Sequence, residues 1–555
     1  MESRALLAIV LSVAVLLGFQ YLFQGPAPPE KTGTEREQEP RPEMTAPEDS
    51  EAHRLEGAAR GNGGDRTLPP AAPEILATAR PPKDIVIESD LLRVVISESG
   101  ARMKECLLKH YPTANQPGAP PVNLINVAPP NLPLALRIGQ EPPLDLSAVL
   151  FEADRDGLSL ENPGQQAAIT FTHTFSNGAS IQKVFTFRQG TYLLDLSVQV
   201  RNMEIVQGSV SLFNRPNGAA SAYIFEGPSY YSAGGFEEVS LDPGEKFDFS
   251  GPIDWAGYGD NYFLTAVIPE SGQGPWNLRI EKRDPAGLTE VRLGTLQAAG
   301  KEVGEAAEIL RFGLYFGPKD IDRLKALGHN LASAINFGWF DPIAKPLLYL
   351  LKFFFRFLHN YGLAIILLTV LIKIAFWPLA QKSAQSMKTM QKLQPKLAKL
   401  KEKYGDDKER LNKELMQLYR TYKVNPMSGC LPMLLQIPVF FALYKVLLQA
   451  IELRHAPFSL WINDLSAPDR LMIPGVEIPY LGGIPVLTLL MGASMFLQQK
   501  MSPTSLDPTQ ARMMMMLPLV FTFFFINFPS GLVLYWLVNN ILSIAQQYYV
   551  NKFTA

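Results

Sequence analysis

Apolar and polar positions recur with different periods along this chain, and the changes of period mark its parts. Residues 5–23 form one apolar run behind Arg4. A run of about 19 such residues crosses a ~30 Å hydrocarbon layer as a helix. Its exit, Gln20-Tyr21-Leu22-Phe23-Gln24, is bulky, and no cysteine follows directly. A cleaved signal peptide would have a shorter run and a small-residue exit. Residues 1–23 are therefore expected to be an uncleaved signal-anchor helix with its N-terminus in the cytoplasm.

Residues 24–82 are rich in Pro, Glu, Gly, Arg and Ala and have no apolar period. Such a segment cannot bury enough surface to offset its ordering entropy, so a tether is expected. From 83 to 320 the period becomes two. Leu194, Leu196, Val198 and Val200 alternate with Asp195, Ser197, Gln199 and Arg201, and Phe185 and Phe187 alternate with Thr186 and Arg188. Gln189-Gly190 between those runs predicts a hairpin. Further runs at 84–97, 168–175, 262–268, 277–282 and 308–316 extend the pattern to an antiparallel β-sandwich. Following an N-in anchor, it should lie on the outer side of the membrane.

Residues 321–360 link this domain to the rest through a linker helix and an amphipathic helix. Positions 343–358 are mostly apolar, with Lys352, Arg356 and His359 spaced by four and three. One cationic stripe on an apolar helix predicts a helix lying in the interface. The rival reading, a full span, would flip every later loop. Five apolar segments follow, at 362–379, 427–448, 484–498, 513–528 and 531–550. Several are short for a ~30 Å core, which implies a thinned bilayer, tilt, or an interior that is not fully apolar.

Residues 381–423 carry twelve cations against five acids. The positive-inside rule places them in the cytoplasm. The loop 449–483 carries more acid than base. Six spans with both termini inside satisfy every loop. Met390, Leu393, Leu397, Leu400 and Tyr404 recur at helical spacing, as do Leu411, Leu415, Leu418 and Tyr422. Gly405-Asp406 makes the turn, with Asp406 and Glu409 read as a capping box. An antiparallel helical hairpin follows. It presents Lys388, Lys392, Lys396, Lys399 and Lys403, with Asp406 and Asp407 at its tip. Two readings of this basic face stay open: a solvated face beside anionic lipids, or a landing site for a nascent chain or a ribosome.

One charge contradicts its surroundings. Lys373 sits inside the segment 362–379, and no Asp or Glu occurs within the five apolar segments. A cation at the centre of a span costs roughly 2.5–3.5 kcal/mol on insertion scales. Snorkelling to the cytoplasmic side is one way to reduce that cost. A wet cavity is the other. Thr369 lies four residues before Lys373, Gln436 lies in mid-segment, and Trp536, Asn540, Ser543 and Gln547 step by four, three and four. Each alone is common helix–helix glue, but with an unpaired cation they favour a hydrophilic groove. Met433, Met491, Met495 and Met513–Met516 add adaptable apolar surface.

Composition mainly excludes. The net charge over 555 residues is −2, and the cations concentrate in few segments. Cys106 lies in the strand region and Cys430 in an apolar helix, so a bridge between them is not expected. No cysteine or histidine spacing fits a metal, and no phosphate-binding G-x-x-x-x-G-K-[ST] occurs. No cofactor, no enzymatic activity and no nucleic-acid substrate are expected.

The stretches Val424-Asn425-Pro426-Met427-Ser428-Gly429-Cys430-Leu431-Pro432 and Gln436-Ile437-Pro438-Val439-Phe440 resemble those of the YidC membrane protein insertases. So do Ala456-Pro457-Phe458, Leu460-Trp461-Ile462, Asp464-Leu465-Ser466, Gln499-Lys500-Met501-Ser502-Pro503 and Phe528-Pro529-Ser530-Gly531-Leu532. The anchor, tether and outer sandwich resemble the long bacterial form of that family, whose outer domain is a β-supersandwich. The resemblance implies an α-helical polytopic inner-membrane protein with six transmembrane helices, five of them in a C-terminal bundle at 361–555, and a large periplasmic β-sandwich. It implies insertion and assisted folding of nascent membrane proteins, alone or with the Sec translocon. It also implies a cytoplasm-open groove holding one cation. By motif position Lys373 stands where the family's groove has arginine. Lysine keeps the charge but lacks the planar fork. Thr369, Gln436, Tyr535, Trp536 and Asn540 fall on positions the family places near the groove, and Trp536 stands where a tyrosine is common. Two other classes fit the residues less well. A secondary transporter would show internal repeats, and none is seen. A membrane-tethered sugar-processing protein would need two carboxylates flanking one bond, and no acid pair in the sandwich stands out.

Overall fold

The computed structural model of the chain describes residues 80–139, 143–203, 207–217, 225–270, 275–295, 307–404, 407–422, 431–475, 478, 481–501 and 508–553. The expected anchor at 1–23, and the tether at 24–82 apart from its last three residues, lie outside them.

The period-two region folds as β-structure: the described residues include twenty strands, in sheets of five, nine and six. The expected hairpin pairs Ser180–Arg188 with Leu193–Arg201, and Phe185 faces Leu196 across it. Gly190 turns it with φ 84°, a left-handed value that favours glycine. Leu194, Leu196, Val198, Val200, Phe185 and Phe187 all point inward, as the alternation requires. Trp276 of the six-stranded sheet packs on Phe312 of the nine-stranded sheet with ring centroids 5.3 Å apart, so the two sheets share a core. One pairing corrects the fully antiparallel expectation. Asp84–Glu88 runs parallel to Gly157–Ser159, because the long intervening chain supplies the crossover that a parallel pair needs.

Lys183 occupies the inward row of the hairpin and is fully buried. Its ammonium donates to the carbonyls of Gly100, Ala101 and Leu134 at 3.0, 2.7 and 2.8 Å. Three N–H donors thus meet three acceptors, which satisfies a buried lysine without a carboxylate.

The sandwich ends in helix α1 (Ile321–Leu327), capped by Asp320, whose carboxylate accepts from the Asp322 and Arg323 amides. Helix α2 (Asp341–Leu358) then buries Ala344, Leu347, Leu348 and Leu351 along one face. The expected cationic stripe on it divides. Arg356 and His359 are exposed, but Lys352 turns inward and pairs with Asp322 at 2.7 Å, Asp320 at 3.4 Å and Glu452 at 2.8 Å. Acids on neighbouring elements, not visible along one helix, redirect that side chain.

Helix α3 (Tyr361–Tyr404) is continuous across what the sequence divides into a membrane segment and a cytoplasmic helix. Residues 380–394 are mostly strong helix formers and contain no glycine, so nothing ends the helix there. Helix α4 (Lys408–Thr421) follows. The capping residue is Asp407, which accepts from the Arg410 amide at 3.0 Å, and not the expected Asp406, which lies outside the described residues. Only Asp407 stands three before that free amide, the spacing a cap requires. Met390 and Leu393 of α3, both in its expected stripe, pack against Tyr419 of α4, which lies outside the stripe expected there. Lys396 sits over the Tyr422 ring at 4.5 Å.

The remaining helices are α5 (Leu431–Gln449), α6 (Val486–Met501), α7 (Pro508–Phe525) and α8 (Ser530–Phe553). Among the described residues, one helical stretch, Tyr361–Met390, is long and apolar enough to cross a membrane by itself, and Leu435–Gln449 and Met514–Phe525 are shorter apolar helices.

Candidate functional site

Lys373 is half-buried two-thirds of the way along the apolar part of α3. Its ammonium donates to Ser543 Oγ on α8 at 2.7 Å. The Ser543 hydroxyl donates in turn to the Asn539 carbonyl one turn earlier, at 2.7 Å. Asn539 Oδ1 accepts from Gln436 Nε2 of α5 at 3.1 Å. One polar chain therefore joins α3, α8 and α5 inside an otherwise apolar bundle. Among the described residues Lys373 has one partner hydroxyl, which leaves donor capacity unused, because lysine carries three N–H groups.

The other expected residues part company here. Thr369 is buried and donates to the Ile365 carbonyl of its own helix at 2.7 Å, so its hydroxyl is spent locally. Asn540 points the other way and donates to Ser494 Oγ of α6 at 3.1 Å. Gln547 ties α8 to the end of α6 through the Met501 carbonyl at 2.7 Å. Tyr535 is buried; its hydroxyl faces Gln436 but makes no hydrogen bond of ordinary geometry among the described residues. Trp536 packs edge-on against Phe440 at 4.7 Å and Phe525 at 4.5 Å, with Phe521 at 6.1 Å. It belongs to an apolar wall beside the polar chain.

Asn539 is the residue that the sequence reading passes over. The signal was present: Asn539 and Ser543 are four apart and share a helix face. Lys445 is the second omission. It is another cation inside an apolar helix, near the end of α5 that meets the sandwich.

Beside the polar chain the helices turn apolar side chains outward. Leu435 and Ile437 flank Gln436 and are exposed, as are Met514, Met515, Met516, Leu519 and Phe523 of α7. Met491 is fully buried and acts as filler. Among the described residues, no group of His, Cys, Asp and Glu could hold a metal ion. The end of α5 and the loop between α5 and α6 dock on the sandwich. Asn261 donates to the Leu448 carbonyl at 2.8 Å, Arg454 to the Pro112 carbonyl at 2.7 Å, and Asn115 to the Asn463 carbonyl at 2.6 Å.

Comparison with known proteins agrees with this division into two parts. A family model described as the YidC periplasmic domain matches residues 84–350, and one described as the 60Kd inner membrane protein matches 353–555. A protein of Syntrophobacter fumaroxidans named membrane protein insertase YidC is 42% identical over 565 residues, spanning all of both chains. One of the same name from Pelobacter propionicus is 42% identical over 569 residues, spanning all of this chain and 99% of its own. A crystal structure of an active YidC insertase covers 86% of this chain and 95% of its own, at 18% identity and a TM-score of 0.37. By full-length identity and by both of its domains, the chain belongs to the YidC family of bacterial inner-membrane protein insertases.

Proposed function

We propose that this insertase works through the polar chain around Lys373, which lines a hydrated groove open to the cytoplasm. The observation that carries the reading is the Lys373–Ser543 hydrogen bond between two helices of an apolar bundle. An ammonium in such surroundings needs water or a polar partner. Five helices of the core and the N-terminal anchor make six spans, with both chain ends in the cytoplasm. A substrate helix then gains about 0.3–0.6 kcal/mol for each strongly hydrophobic residue, so its own insertion is downhill. The polar flank that must cross is the obstacle. A groove reaching partway through a thinned bilayer shortens that crossing. Lys373 attracts acidic residues of the flank, and the membrane potential, worth about 2.3 kcal/mol per charge per 100 mV, drives acidic tails outward. The exposed apolar faces of α5 and α7 receive the substrate's apolar side. The basic hairpin of α3 and α4 receives the nascent chain, from a ribosome or beside the Sec translocon, over anionic lipid.

The test is aqueous access. Lys373→Cys is placed in a chain whose own Cys106 and Cys430 are replaced by Ala. A membrane-impermeant maleimide should label it in inverted vesicles, where the cytoplasmic face is outward. Labelling from neither face, with a hairpin cysteine labelled in the same sample, would overturn the hydrated groove.

A further inference from the structure

A cavity of about 400 Å³ lies where the sandwich rests on the end of α5. Its wall carries both signs of charge: Glu238, Asp260 and Lys319 from the sandwich, and Lys445 from α5. Lys445 stands four residues before the helix end at Gln449, about 6 Å at helical rise. On the topology proposed above, on which this inference rests, that is the depth of the outer lipid headgroups. Phe225, Phe236 and Ile335 supply an apolar shoulder to the same cavity.

The Lys319 ammonium and the Glu238 carboxylate each have a neutral hydrogen-bond partner. The Lys319 ammonium donates to the Asp260 carbonyl at 2.7 Å. It fits there because residue 259 is glycine: a Cβ at that position would lie 2.8 Å from Lys319 Nζ. Burial lowers the Lys319 pKa, against the opposing pull of Asp260, Glu238 and Glu226. Glu238 accepts from the Asn336 amide at 3.2 Å. Asn261 donates through Nδ2 to the Leu448 carbonyl. Its Oδ1 is buried and has no hydrogen-bond partner among the described residues.

From this arrangement we infer that the cavity binds the headgroup of a phosphoethanolamine lipid. The phosphodiester faces Lys319 and Lys445. The primary ammonium faces Glu238 and Asp260 and donates to the Glu238 carboxylate. The acyl chains leave past Phe225 and Phe236 along α5. The chemistry discriminates. A phosphoglycerol headgroup has no cation for Glu238 and Asp260. A phosphocholine headgroup has a cation but no N–H to donate to the Glu238 carboxylate.

Native mass spectrometry of the full chain, released from bilayers of equal phosphatidylethanolamine, phosphatidylglycerol and phosphatidylcholine content, tests this. The ethanolamine lipid should be retained about tenfold over each of the others, as the loss of one charge-assisted hydrogen bond implies. Glu238→Gln with Lys445→Met should abolish the preference. Gly259→Ala, which displaces the Lys319 ammonium without changing any charge, should weaken it while the thermal midpoint stays within a few degrees. Equal retention of the three lipids, or a preference that survives both variants, would overturn the site. Saturation by soluble glycerophosphoethanolamine with no lipid retained would overturn the lipid as its occupant. Lys373→Cys access is read separately, so loss of the groove and loss of this site are distinguishable.

Discussion

Asp469 and Arg470 are neighbours in sequence, and they cap opposite ends of two helices. The Asp469 carboxylate accepts from the Leu487 and Thr488 amides at the start of α6, and from the Trp461 indole at 2.6 Å. The Arg470 guanidinium donates to the Ile526 carbonyl at 2.9 Å and to Asn527 Oδ1 at 2.8 Å, just past the end of α7. An anion thus meets the positive end of one helix dipole and a cation the negative end of the next. The pair pins the start of α6 and the end of α7 beside each other.

Asp469→Ala should therefore destabilise the core by about 1–2 kcal/mol, the worth of a helix N-cap. Arg470→Ala should cost less, about 0.5–1 kcal/mol, because one terminal carbonyl loses a charged donor. Exchanging the two residues should cost more than both single changes, since each charge then faces the wrong dipole end. Thermal unfolding in detergent measures all three. An exchange variant as stable as Arg470→Ala would remove the dipole argument.

The groove reading makes a prediction about substrates. Lys373→Glu should impair insertion most for substrates with short acidic translocated tails, and least for tails without charge. Lys373→Arg should keep insertion, since the charge persists and Ser543 Oγ lies within a guanidinium's reach. Radiolabelled substrates carrying graded tails, inserted at equal insertase abundance, give the comparison. An equal loss for acidic and neutral tails would mean that the cation does not attract substrate.

Much of the architecture was legible because period and burial agree. The alternation of 194–201 and 185–188 gave the β-hairpin and its inward face, and the helices α3 and α4 fall where the two apolar stripes lie. What was not legible depends on contacts between elements. Lys352 reads as part of a surface stripe until Asp320, Asp322 and Glu452 are placed around it. Lys183 reads as a fault in a strand until three carbonyls converge on it. In the site, Lys373 stood out by cost alone, whereas Thr369 and Asn540 share its helical spacing and spend their polar atoms elsewhere. Spacing gives the face of one helix; it does not say which neighbour that face meets.

Lys352 holds three elements together: α1 through Asp320 and Asp322, its own helix α2, and the turn after α5 through Glu452, whose side chain is only 9% exposed. Removing one partner of a buried pair leaves an uncompensated charge, which costs about 3–5 kcal/mol. Lys352→Met should show a loss of that order in thermal unfolding of the full chain. Lys352→Met with Glu452→Gln should recover more than half of it, because the stranded carboxylate is gone. Losses that simply add in the double variant would show that the two groups are not coupled.

Glu290 gives the sandwich a defined response to acid. Its side chain is 1% exposed, and Arg137, Arg292 and Arg283 all pair with it. Burial by itself would raise the carboxyl pKa, but Arg292, then the Ser211 hydroxyl and Arg137, outweigh burial and hold it down at about 2. A carboxylate depressed in the folded state contributes stability that is complete above its unfolded pKa of about 4.5 and is lost as pH falls toward 2. The shift corresponds to a contribution on the order of 3 kcal/mol. Unfolding midpoints of the wild-type chain should thus drop steeply below pH 4.5, whereas Glu290→Gln should begin lower and lose less across that window. At neutral pH the variant should be less stable, since three guanidinium groups then face one another without their shared anion. Parallel pH profiles of the two chains, with no convergence between pH 4.5 and 2, would show that this carboxylate does not govern the acid limb.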